Sequence, residues 1–124
     1  MDRSEVSAWL GEYVEAWRSN DRDRIAALFT DDVRYRYYPY QEAIVGAEAV
    51  ADAWLDDPDE PESWEAEYEP VAVDGEVAVA IGSSVYHEPD GSVREAFDNC
   101  FVIHFGDGGR CREFVEYYVK RPQQ

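Results

Sequence analysis

From Trp64 to Val119 the chain repeats one pattern, a strand-like run of residues followed by a tight turn. The turns are Asp74-Gly75, Pro89-Asp90-Gly91 and Gly106-Asp107-Gly108-Gly109, and Asp-Gly between such runs is a strong hairpin signal. Connections this short join antiparallel neighbours, because a parallel pair needs a crossover of roughly a dozen residues or more. The second half of the chain therefore reads as four strands in consecutive hairpins: from 64 to the 73–76 turn, then 77–86, 94–105 and 111–119.

The first half has a different period. Val6, Leu10, Tyr13 and Trp17 share one face of an amphipathic helix over 4–18. Asn20 or Asp21 caps a second helix, with Ile25, Leu28 and Phe29 facing inward and Asp31-Asp32 ending it. Residues 33–37 alternate as a half-buried strand that Pro39 ends, and a third helix follows Gly46 through Val50 and Trp54 to about Leu55. Helices gathered ahead of hairpin strands predict an α+β domain with the helices on one face of a curved sheet. With 124 residues, 45% of them apolar, residues 1–124 form one domain with a core of its own.

Charge narrows the function classes. Twenty-eight acids against 11 Lys and Arg give a net charge of −17, a field that repels phosphate backbones and anionic lipid. The expectation is no nucleic acid and no membrane partner. Lys120 is the only lysine, a bias that fits a salt-rich cytoplasm or an Arg-favouring genome. The opening Met1-Asp2-Arg3-Ser4-Glu5 lacks the features of a signal peptide, so a cytoplasmic protein with Cys100 and Cys111 as free thiols is expected. Those cysteines lack CxxC spacing, and His87 and His104 stand far apart, which argues against zinc. Residues 56–69 hold eight acids, read as an exposed loop and then a strand with one solvated face, without the turn of a calcium loop. No glycine-rich phosphate loop occurs, so no cofactor is expected.

The order of elements, Tyr13 in the first helix and the run 21–32 ending Leu-Phe-Thr-Asp-Asp resemble the nuclear transport factor 2-like superfamily, in its SnoaL-like branch. Tyr-Arg-Tyr-Tyr-Pro-Tyr at 35–40, Asn99-Cys100 and Cys111-Arg112-Glu113-Phe114 are similar to segments of uncharacterised bacterial members. The resemblance implies a cone-shaped curved antiparallel sheet, with the three N-terminal helices packed on its concave face around a cavity. It also implies a homodimer formed through the convex face. The superfamily hosts isomerases, cyclases, dehydratases, epoxide hydrolases and non-catalytic modules, so fold does not select an activity. Residue by residue, Tyr13 matches the oxyanion-stabilising tyrosine of ketosteroid isomerases, but their two aspartates fall on Tyr37 and Phe101. Three positions of limonene-epoxide-hydrolase-like enzymes fall on Tyr35, Tyr37 and Glu116, while their arginine and second acid fall on Ile81 and Ser83. Both activities lack essential groups here.

Spacing offers its own candidate site. A four-residue loop at 106–109 would set Asn99 opposite Glu116, Phe101 opposite Phe114 and Phe97 opposite Tyr118, all on one face. Asp98, Cys100, His104 and Cys111 would then take the other face, with His104 opposite Cys111. The aromatic density and the resemblance assign the first set to the cavity wall. A carboxylate among phenylalanines acquires a raised pKa, which suits a general acid or base near neutrality. Glu116 is thus the candidate catalytic group, with Tyr37 beside it and Asn99 orienting it. Tyr13 and Tyr35 would hold a polar group of a small, largely apolar ligand, and Trp17 and Trp54 would complete the walls. Two alternatives stand beside this reading. Glu116 pairs with Arg34, Arg36 or Arg112 in a structural ion pair, or it lies on the exposed face. A non-catalytic module with a cavity plugged by aromatics, working through a convex face that carries Cys100, Val102, Val115 and Val119, is the other functional class.

Overall fold

The computed structural model describes residues 1–122. In chain order the elements are α1 (Arg3–Ser19), α2 (Arg22–Ala26), β1 (Phe29–Arg36), β2 (Ile44–Val45), α3 (Ala47–Asp56), β3 (Trp64–Asp74), β4 (Val77–His87), β5 (Val93–Phe105) and β6 (Cys111–Lys120). The helix α1 starts at a capping box: the Glu5 amide donates to the Asp2 carboxylate at 2.8 Å, and the Asp2 amide to the Glu5 carboxylate at 3.2 Å. Both candidate caps between the first helices are used. Asn20 ends α1 in the left-handed conformation (φ 53°), and Asp21 accepts from the amides of Asp23 and Arg24 at the start of α2.

Phe29 does not belong to the second helix. That helix stops at Ala26, and Phe29 opens β1, with Asp31 and Asp32 inside the strand rather than ending a helix. The reason is tertiary: the Cys111 amide donates to the Leu28 carbonyl at 2.9 Å, and Phe29 lies opposite Cys111. Backbone pairing with a distant strand overrides the local helical pattern.

The sheet runs β2-β1-β6-β5-β4-β3. The four long strands form the expected antiparallel hairpins, but β1 lies parallel to β6, so the sheet is mostly antiparallel. It is curved and does not close, and the three helices pack on it as an α+β fold. Behind α1 an aromatic cluster fills the wide end. The Trp9 indole sits edge-on to Phe29 and Phe105, and its Nε1 donates to the Leu28 carbonyl at 3.1 Å. No helix among the described residues is long and apolar enough to cross a membrane.

The β5–β6 hairpin departs from the expected register in two places that offset each other. The turn takes up 106–110, setting Phe105 opposite Cys111, and Arg112 then bulges outward so that His104 lies opposite Glu113. Each irregularity slips the pairing by one residue. Asn99 therefore faces Tyr118, Phe101 faces Glu116 and Ile103 faces Phe114. One slip alone would have turned β6 inside out, whereas two restore the original faces. Cys111 is the exception, because it precedes the bulge: it is fully buried opposite Phe105 instead of lying on the outer face beside His104. Both cysteines are free thiols.

Candidate functional site

One strand clears the space for the site. The inner face of β4 carries Ala78, Ala80, Gly82 and Ser84, all small. Gly82 lies opposite Tyr68 of β3, and a Cβ there would stand 2.0 Å from the Glu67 carbonyl oxygen and 2.5 Å from the Tyr68 ring. Only glycine lets the Tyr68 ring lie across the strand, where it reaches Phe101 at 4.5 Å between centroids.

Beside this strand, with Ser84 in its wall, opens a cavity of about 260 Å³. Tyr13 and Trp17 reach it from α1, Tyr35 from β1, Tyr37 from the residue just after β1, and Trp54 from α3. Glu116 of β6 lines it from the sheet. Six residues expected at the site therefore converge: Tyr13, Trp17, Tyr35, Tyr37, Trp54 and Glu116. A larger depression, on the convex face, is lined by exposed groups such as Glu67, Glu69 and Val119 and contains no buried carboxylate.

Glu116 is half-buried, and its only hydrogen bond among the described residues comes from Asn99, whose Nδ2 donates to Oε2 at 2.6 Å. Ser84, itself buried, donates its hydroxyl to Asn99 Oδ1 at 3.2 Å and so turns the amide group toward the carboxyl. Among the described residues no cation stands within ion-pair distance of Glu116. Arg36 is engaged by Glu113 at 3.8 Å and by the Gln41 carbonyl at 3.1 Å, while Arg34 and Arg112 are exposed. Burial consequently raises the Glu116 pKa to about 7, with the Asn99 hydrogen bond restraining the rise.

The surrounding tyrosines stay protonated. Burial pushes Tyr37 up to about 12, aided by the charge of Glu116. Burial pushes Tyr13 and Tyr35 well above their ordinary value, with Tyr35 raising Tyr13 further and Tyr37 and Glu116 raising Tyr35. The Tyr13 and Tyr35 hydroxyls share a hydrogen bond of 3.0 Å, which restrains the rise at Tyr35. Phe114 fixes these two rings by stacking on both, at 4.6 Å from Tyr35 and 5.6 Å from Tyr13.

Other expected site residues play different parts. Asn99 stands behind Glu116 rather than in the wall. Phe101 and Phe114 are buried and back the cavity without lining it. Phe97 and Tyr118 lie away from it: their rings meet edge-on at 5.5 Å, Tyr118 is 48% exposed, and the register sets it opposite Asn99 rather than Phe97. His87 is half-buried and lines a separate surface cleft, with its Nε2 3.9 Å from Glu65.

Tyr68, Ser84 and Tyr86 also line the cavity, as do Asp57 and Asp59. The alternating small residues of β4 carried a signal for the first three, since space over one strand must be filled from its neighbours. The acidic stretch reads as exposed loop, yet Asp59 is pinned to α1: Trp17 Nε1 donates to its carboxylate at 3.2 Å, and Arg18 donates to the Pro61 carbonyl at 2.6 Å. Nothing in local composition marks that anchoring. No group of three or more His, Cys, Asp or Glu among the described residues is placed to hold a metal ion.

Comparison with known proteins adds the lineage. No curated protein matches the chain. Among solved structures, an NTF-2-like protein of unknown function from Burkholderia xenovorans LB400 superposes with a TM-score of 0.72, at 15% identity over 98% of this chain and 88% of that one. A likeness at that identity establishes the fold alone. The sequence profile of the SnoaL-like domain matches residues 10–114, a span that takes in Tyr13, Tyr35 and Tyr37 and stops just short of Glu116. The chain belongs to the SnoaL-like domain family, built on the nuclear transport factor 2-like fold.

Proposed function

We propose that this protein binds a small molecule in the 260 Å³ cavity and uses Glu116 to move a proton on it. The observation that carries the reading is a carboxyl facing an open cavity, held by one amide and lacking any cationic partner. A structural ion pair would have placed an arginine there. A carboxyl near pKa 7 is half-protonated at neutral pH and can serve as acid or base without a large energetic penalty in either direction. Among the described residues the Tyr37 hydroxyl has no hydrogen-bond partner, so it is free to donate to a carbonyl or developing oxyanion. The volume lies just under the roughly 300–1,000 Å³ of drug-sized sites, so the ligand is compact. In a substrate screen, Glu116→Gln is expected to lower turnover by about 10²–10⁴-fold with the fold intact, and Tyr37→Phe by less. Unchanged binding and turnover in both variants would exclude this assignment.

Self-association through the convex face is a second, compatible role. Ile81, Cys100 and Tyr117 lie in register across β4, β5 and β6, and Val119 stands two pairs further along, on the same face. Ile81, Tyr117 and Val119 are 44%, 47% and 70% exposed, an apolar row that a second copy of this chain would cover. Sedimentation at micromolar concentration should give a dimer, and Tyr117→Glu a monomer; a monomeric parent protein would remove this role.

A further inference from the structure

We infer that the ligand of this cavity is an organic cation, a small ammonium or methylated amine. The inference rests on the small-molecule reading above and names the class of molecule. Among the described residues, seven of the twelve lining the cavity are aromatic, the only charged ones are Asp57, Asp59 and Glu116, and no lysine, arginine or histidine lines it. An anion-selective pocket would need a cation or a fixed set of donors, whereas the faces of aromatic rings, together with carboxylates, attract positive charge. The arrangement is also graded. Asp57 is exposed, Asp59 is half-buried on Trp17, and Glu116 lies deeper, so a cation meets a carboxylate at the entrance and another within.

The protein's own cations show how such a group sits. The Arg18 guanidinium lies 4.4 Å over the Trp64 ring, which in turn stacks on the cavity-lining Trp17 at 3.6 Å. Arg94 lies 5.5 Å from the Tyr86 ring but lines the neighbouring surface cleft, not the cavity. A net charge of −17 adds long-range attraction for a cation and none for an anion.

A bound cation would also neutralise the deep carboxyl. The groups facing Glu116 are Tyr13 from α1, Tyr35 from β1 and Tyr37 just after it, Tyr68 and Tyr86 from β3 and β4, and Asn99 from β5, with Asp59 at the mouth. Burial keeps all five tyrosines protonated throughout the neutral range, so between pH 6 and pH 8, values spanning the Glu116 pKa of about 7, the cavity's change in charge comes from Glu116. Ionisation as pH rises should therefore tighten cation binding.

The test titrates the whole chain with choline and with its uncharged carbon isostere, 3,3-dimethylbutanol, reading tryptophan fluorescence and heat. Choline should bind about tenfold or more tightly than the isostere at pH 8. Its affinity should fall on going to pH 6, and Glu116→Gln should abolish that pH dependence. Asp59→Asn should weaken choline alone. Equal affinities for the two probes would overturn the cation assignment and leave the small-molecule reading standing. Failure of both probes to bind would overturn both.

Discussion

Replacing Glu116 with glutamine should raise the midpoint of thermal unfolding by about 10 °C at pH 8 and hardly change it at pH 4. In the folded protein the carboxyl titrates near 7 against an ordinary value of 4.5, and burial is the cause. Below both values the folded and unfolded chains each hold the proton, and the group contributes no pH dependence. Between them the folded chain binds a proton that the unfolded chain has released, so stability falls as pH rises through this window. Above about 7 the fold carries a bare carboxylate in a half-buried site, at a cost of about 3 kcal/mol relative to water. Glutamine keeps the shape and removes the charge. Melting curves of parent and variant, recorded from pH 4 to pH 8, should therefore diverge progressively. An equal shift at both ends would mean that Glu116 does not carry this proton in the folded state. A cavity residue whose removal stabilises the fold is retained at the expense of stability, the pattern expected of a functional group.

Phe114→Ala should cost about 3–5 kcal/mol, a large share of the roughly 5–15 kcal/mol that holds a domain of this size. Phe114 is fully buried and is the ring on which the others are assembled: Tyr35 and Tyr13 stack on it, and Phe101 and Trp9 tilt against it. Removing it deletes buried area and leaves a void that four rings from α1, β1 and β5 cannot all move to fill. Urea unfolding should report the loss as a lower midpoint. Phe114→Leu preserves most of the volume and should cost far less, under about 1.5 kcal/mol. The leucine variant should also bind ligand more weakly than its stability suggests, because Tyr13 and Tyr35 lose the flat surface that orients their hydroxyls. If both variants unfold at the parent's urea concentration, the ring is not the keystone described.

Much of the architecture could be read from the chain because its signals are local. Turn residues fixed the three hairpins, and helical spacing fixed α1 and α3. The face of Glu116 was also legible, although its partner was not. A four-residue loop sets Asn99 opposite Glu116, while the folded hairpin sets Phe101 there. Asn99 still reaches the carboxyl, diagonally, because a two-residue displacement returns each side chain to its own face. What escaped depends on distant pairing. The start of β1 at Phe29 is decided by β6, and the placement of Asp59 by Trp17 and its neighbours on α1. Tyr118 was misassigned because no local feature reveals the bulge at Arg112. The same bulge constrains change in this hairpin: deleting one residue from 106–110 would present Glu116 to the outside, whereas paired deletions of a loop residue and the bulge would not.

The parallel seam between β1 and β6 has a kinetic consequence. Hairpins β3 to β6 join neighbours in sequence and can assemble early, whereas β1 must wait for a strand most of the chain away. Tyr35 rides on β1, with Tyr37 just past its end, and Glu116 on β6, so the two sides of the cavity meet only when that last seam closes. A ligand spanning them is absent from the early steps and holds the final one shut. It would lengthen the lifetime of the folded state while leaving the rate of folding almost untouched.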